Sequence, residues 1–208
     1  LLADLGQQIG AGQLSHGSGS TPTFFGPRTG SEYLTIFDNA QPTMNLLVYR
    51  ADASGELVCR QALPSPAGIA SESSPIAAGR SVFISSSYGY PYLALPRDAQ
   101  PSVPVSAPLG GGMTRVDVDA DERGCSVVWT NDVRSAAVPK PSLTDQLIYT
   151  VERQPQASDG TAGSQDRYEF VAVDPFAGDV VARQPLPNMA DTMQLAGTIA
   201  PDGVFLQG

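Results

Sequence analysis

"GDVVARQPLP" (178–187) and "GELVCRQALP" (55–64) are two writings of one segment. Six of the ten positions are identical, and Asp for Glu and Val for Leu account for two more. Extended backwards, "NLLVYRADASGELVCRQALP" (45–64) aligns with "EFVAVDPFAGDVVARQPLP" (169–187). Each copy has an alternating apolar run, a turn that ends in Gly, and a second alternating run, which is the pattern of a β-hairpin. A third copy, "TRVDVDADERGCSVVWT" (114–130), carries one extra residue in the turn before Gly124.

Each hairpin follows another strand-like run rich in β-branched and aromatic residues: "EYLTIFDNA" (32–40), "RSVFISSSYG" (80–89) and "DQLIYTVERQ" (145–154). Before each of these stands a short proline-containing piece, at 20–26, 73–79 and 138–143. The unit is therefore four strands. After the third unit, "GTIAPDGVFLQG" (197–208) reads as the first two strands of a fourth. Repetition of a four-stranded antiparallel unit predicts an all-β β-propeller, about three and a half blades of a partial ring, with blades near 20–64, 73–130, 138–187 and 197–208. Each blade covers its neighbour, so each outer hairpin meets the same packing demand and is written alike. Two insertions widen the repeat, at 90–112 and at 155–166; the second reads as a mobile polar loop.

Composition agrees with many short strands. The 208 residues include 21 Gly and 18 Pro, which break helices and supply turns. The formal net charge is −9 and no basic cluster occurs, so a phosphate backbone would be repelled and no nucleic-acid partner is expected. No run approaches the ~18 apolar residues of a membrane span. The opening "LLADLGQQIGAG" lacks the basic and apolar regions of a signal peptide. The single Lys and the Ser/Gly/Pro content point to export, with a secreted or periplasmic location as the expectation.

Two cysteines, Cys59 and Cys125, lie without zinc-like spacing. Two readings stay open: separate buried thiols, or one disulfide. Both residues belong to outer hairpins of successive units, which splay apart at a propeller's rim, and that weighs against the bond.

"AVDPFAGDVVA" (172–182) resembles the repeat of quinoprotein-like (PQQ-type) propellers, A-x-D-x-x-T-G-x-x-x-W. Ala172, Asp174 and Gly178 match; Ala177 replaces the Thr and Ala182 the docking Trp. Trp129 falls one place late relative to Gly124, and Cys59 takes the Trp position in the first unit. The chain is also similar in style to uncharacterised secreted bacterial propellers. The resemblance implies the fold. It does not extend to the quinone cofactor, since the Cys-Cys pair of those enzymes is absent and only one Trp is present, so no cofactor is expected.

In a propeller the loops at one end surround the mouth of the central channel. Here they supply Asp38, Asn39, Glu72, Tyr88, Tyr90, Asn131, Asp132 and Arg134, a set able to bind a sugar, a peptide or a cation. Asp and Asn also serve turns by bonding their own backbone. Asp38 and Glu72 are the pair that an acid–base reaction on a glycoside would use. His16, the one histidine, sits in a Gly/Ser-rich stretch read as a flexible loop, and no catalytic or metal residue is assigned. "DVDADERG" (117–124) has the acidic spacing of a calcium loop without its sixth-position Gly, and reads as a hairpin turn with solvated charges. The expectation is a non-enzymatic binding or scaffolding module, its ring closed by a protein partner or by further blades. The alternative is a propeller enzyme, an oxidoreductase or a glycan-active hydrolase or lyase, with its site at the channel mouth.

Overall fold

The structure is a computed structural model that describes residues 9–14, 19–40, 43–64, 70–92, 95, 97 and 99–207. Regular structure among the described residues is all β, in fourteen strands. Sheet I holds β1 (Thr23–Phe25), β2 (Tyr33–Phe37), β3 (Asn45–Arg50) and β4 (Leu57–Ala62). Sheet II holds β5 (Ile76–Ala78), β6 (Ser81–Ser85), β7 (Met113–Val118) and β8 (Cys125–Thr130). Sheet III holds β9 (Lys140–Ser142), β10 (Leu147–Gln154), β11 (Arg167–Val173) and β12 (Val180–Pro185). A two-stranded sheet follows, β13 (Thr198–Ile199) with β14 (Phe205–Leu206). Within every sheet, strands pair antiparallel in chain order.

The three large sheets are consecutive and alike, an arrangement compatible with propeller-like blades. Their first strands neighbour one another, β1 beside β5, β5 beside β9, and β9 beside β13. Alternation along each strand sends successive side chains to opposite faces. In β6, Val82 and Ile84 turn toward sheet I and join a core with Tyr33, Phe37, Leu46 and Val48. Phe83, between them, turns the other way into a core with Ile148, Val171 and Val173 of sheet III. Sheet II is thus apolar on both faces because it is covered on both. A smaller third core joins Val151 and Tyr168 to Phe205 of the short sheet.

A bulge recurs at the same step of each outer strand. Val48 pairs with Cys59 and Tyr49 with Leu57, which leaves Val58 unpaired. Arg115 pairs with Trp129 and Val116 with Val127, which leaves Val128. Ala172 pairs with Ala182 and Val173 with Val180, which leaves Val181. Cys59, Trp129 and Ala182 are therefore equivalent positions, although Trp129 stands one residue farther from its glycine. Between the paired positions the second hairpin (115–129) is three residues longer than the first (48–59), with two of the three before Gly124 and one between Gly124 and the bulge.

These equivalent residues face the next sheet. Cys59 is bonded to Cys125, with the Cα atoms 5.8 Å apart. This settles the open reading of the two cysteines: β4 and β8 are in contact at the outer edge, so this pair of hairpins does not splay. Trp129 instead lies over the 174–179 turn of sheet III. Its indole N–H donates to the Pro175 carbonyl at 2.9 Å. A Cβ on Gly178 would come within 2.6 Å of the indole ring, and the φ of +80° at that glycine is one that L side chains avoid. Ala182 is exposed.

The acidic turn 117–124 is a hairpin turn, with Asp121 and Arg123 exposed to solvent as expected, while Asp117 and Glu122 are ion-paired. Asp117 takes Arg115 at 2.6 Å. Glu122 receives Arg28 at 3.1 Å, Arg50 at 3.2 Å and Arg80 at 3.5 Å, which ties sheet I to sheet II. Hydrogen bonds from Arg50 and then Arg28 hold the Glu122 carboxyl at a pKa of about 2.

Candidate functional site

The loops at one end of the sheets hold the residues that the sequence singles out. Most of their polar atoms are engaged by neighbouring protein. Asp38 is fully buried. It accepts bonds from the Ala40 amide at 3.0 Å, the Asn45 amide at 2.8 Å and the Asn45 side chain at 2.8 Å, so it closes the β2–β3 loop on itself. Asn39 exchanges two bonds with the backbone of Ser71, at 3.1 and 3.2 Å, and joins sheet I to the strap that enters sheet II. Asn131 accepts from the Met113 and Val133 amides and donates to the Gly178 carbonyl at 2.9 Å, a link from sheet II to sheet III. Arg134 donates from Nε to the Leu109 carbonyl at 3.1 Å. Tyr88 is half-buried and Asp132 is exposed.

Glu72 accepts a bond from the Leu14 amide at 3.0 Å, which fastens the segment 9–14 across this end of the sheets. Burial pushes its carboxyl above the usual range, and the amides of Leu14 and Gly19 pull the other way. The same segment is held by Ser87, whose hydroxyl donates to the Gly12 carbonyl at 3.0 Å, and by Gly89, whose amide donates to the Ala11 carbonyl at 3.2 Å. His16 lies outside the described residues, as do residues 65–69 of the β4–β5 loop.

Tyr90 leads to a cluster that the loop inventory misses. It is buried, and its hydroxyl donates to Asp191. Asp191 also takes Nη1 of Arg153 at 2.6 Å, and Asp166 takes Nε of Arg153 at 2.7 Å. The third guanidinium nitrogen donates to the Gly163 carbonyl at 3.3 Å. The guanidinium lies over the rings of Tyr90 and Tyr168, at 5.6 and 5.7 Å. Arg153 is only 4% exposed, so its pairing with two carboxylates is what makes its burial tolerable. Burial and then the Asp191 bond raise the Tyr90 phenol well above its ordinary pKa. Burial, with the charge of Glu72, does the same for Tyr92.

A cavity of about 530 Å³ opens beside this cluster, lined among others by Tyr92, Tyr168, Asp166, Asp191, Ser164 and Met189. Its tyrosines are held protonated and its carboxylates are held by Arg153. The cavity thus presents phenol hydroxyls and arginine-paired carboxylates to whatever enters it. Among the described residues no group of His, Cys, Asp or Glu is placed to hold a metal ion, and no helix is long and apolar enough to cross a membrane.

The signal for Arg153 was present in the sequence. Val151 and Arg153 lie two apart in an alternating strand, so they share the core-facing side. A charged residue there requires buried partners. Which carboxylates answer it, 13 and 38 residues downstream, is a matter of tertiary structure. No family model matches this chain, and no curated protein is similar to it.

Proposed function

We propose that the chain is part of a β-propeller ring and serves as a non-enzymatic binding or scaffolding module, exported, with further sheets or a protein partner completing the ring. One observation carries this reading: the seam that Cys59 and Trp129 make with a following sheet has no counterpart at Ala182. That residue is exposed, whereas Cys59 and Trp129 are part-buried. The short sheet of β13 and β14 covers the inner half of sheet III and leaves the outer half bare. Apolar residues in such a place mark a surface built to be covered. A ring of about 4–8 blades is the usual closure, and three large sheets fall short of it.

The same reading puts the ligand-facing end at the loops around Tyr88, Tyr90, Asp132 and Arg134, and it includes the cavity beside Arg153. The Cys59–Cys125 bond supports export, because oxidising compartments preserve disulfides. The quinoprotein-like resemblance enters only as a likeness of blade design.

Hydrogen–deuterium exchange on the protein in its native assembly tests the reading. Protection of β12 and of the Val181–Ala182 edge comparable to that of β4 and β8 is the expected result. A lone monomer in light scattering, with β12 exchanging freely, would refute it.

A further inference from the structure

The bulge register makes the sheets comparable residue by residue, and the comparison exposes an empty slot. In sheet I, Phe25 pairs with Tyr33 across β1 and β2, and their rings lie 5.3 Å apart. Both are at most 2% exposed, packed into the seam with sheet II. Tyr33 pairs in turn with Arg50, two residues beyond Val48. In sheet II the same places are held by Ala78 and Ser81: these two pair with each other, and Ser81 pairs with Asp117, two residues beyond Arg115. Two aromatic rings in one seam are thus replaced by a methyl and a hydroxymethyl group in the next.

The space is not refilled. A cavity of about 290 Å³ lies there, and both Ala78 and Ser81 line it. Phe83, Ile148, Pro141 and Phe176 supply apolar walls. Arg115 adds a flat guanidinium set over the rings of Phe83 and Phe176, at 6.0 and 5.8 Å. Its charge is already met by Asp117, so the slot does not call for an anion. Gln146 and Ser81 are polar residues of the lining. The slot is a half-open cleft, with Phe176 on its rim 65% exposed, and its volume exceeds the roughly 150 Å³ of a sealed apolar cavity that takes up benzene.

We infer that this slot between sheets II and III binds a small aromatic molecule, one ring or two fused rings with a hydrogen-bonding substituent, in the place that the Phe25 and Tyr33 side chains fill one seam earlier. The site lies at the end of the sheets opposite the channel-mouth loops. It does not depend on ring closure or on a partner at Ala182.

The test uses p-cresol, which is the tyrosine side chain itself, and indole, with cyclohexanol as the non-aromatic control. Methyl NMR of the intact protein should show saturable shifts at Leu147 and Ile148 with the two aromatic probes and none with cyclohexanol. Ser81→Tyr should weaken binding of both probes by about tenfold or more, because the new side chain occupies the slot. Ala78→Phe, which fills it from the other pairing partner, should do the same. Absence of saturable shifts overturns the inference. So do shifts that persist in both variants, or cyclohexanol binding as tightly as p-cresol.

Discussion

The seam between sheets I and II and the seam between sheets II and III answer the same packing problem by different means. The first is closed covalently by Cys59–Cys125, filled by Tyr33 and Phe25, and pinned at its edge by three arginines on Glu122. The second relies on Trp129 lying on a glycine turn, and it keeps a cavity where the first has rings. The difference teaches that the repeat conserves a position and a direction, not a chemistry. What must be met at positions 59 and 129 is the next sheet, and a disulfide or an indole will do it.

The largest effect separating the seams is expected from the covalent one. Replacing both Cys59 and Cys125 by Ser should cost about 4 kcal/mol in urea unfolding, since the bond closes a loop with a sequence separation of 66. A loss under about 1 kcal/mol would mean that apolar contact alone holds the first seam. Trp129→Ala should cost about 3 kcal/mol, less than a fully buried aromatic would, because the indole is only part-buried. Hydrogen exchange should then rise in β9 to β11 before it rises in β2 and β3. Equal loosening of both seams would break the comparison.

Acid should act on the first seam through Glu122. The Glu122 carboxyl is depressed from an ordinary 4.5 to about 2 in the folded chain. The unfolded chain therefore takes up the proton first as pH falls. The stability that Glu122 contributes is complete above about pH 4.5 and is lost as pH drops toward 2. In Glu122→Gln the melting temperature should vary less over that window. An unchanged pH profile would show that the three arginines do not need the charge. The smallest effect is a gain: Ser81→Tyr should stabilise the second seam by about 0.5–1 kcal/mol, as cavity filling does. A loss would show that the slot cannot admit a ring.

Much of the fold is legible from local pattern, because strands and turns are local. The alternation in 45–62 and 167–185, and the glycines that end their turns, are enough to draw the hairpins. The disulfide is less legible. The expectation that outer hairpins splay at the rim is an average over an array, and β4 and β8 depart from it. The channel-mouth residues show a different limit. Asp38 and Asn131 look like ligand groups in the sequence, yet backbone amides, the Asn45 side chain and the Gly178 carbonyl, which only folding brings near, take up their hydrogen bonds. Arg153 sits in plain view within a strand, and its two carboxylates cannot be chosen by reading along the chain.

The recurrent bulge has a consequence for how such a chain can change. Because an unpaired valine always precedes the residue that meets the next sheet, a turn can lengthen without rotating that residue to the wrong side. Trp129 is the example: its hairpin is three residues longer than that of Cys59, and the indole still points across the seam. Outer hairpins are thereby interchangeable cassettes, and grafting 115–129 in place of 48–59 should preserve the facing of its seam residue although the graft is three residues longer.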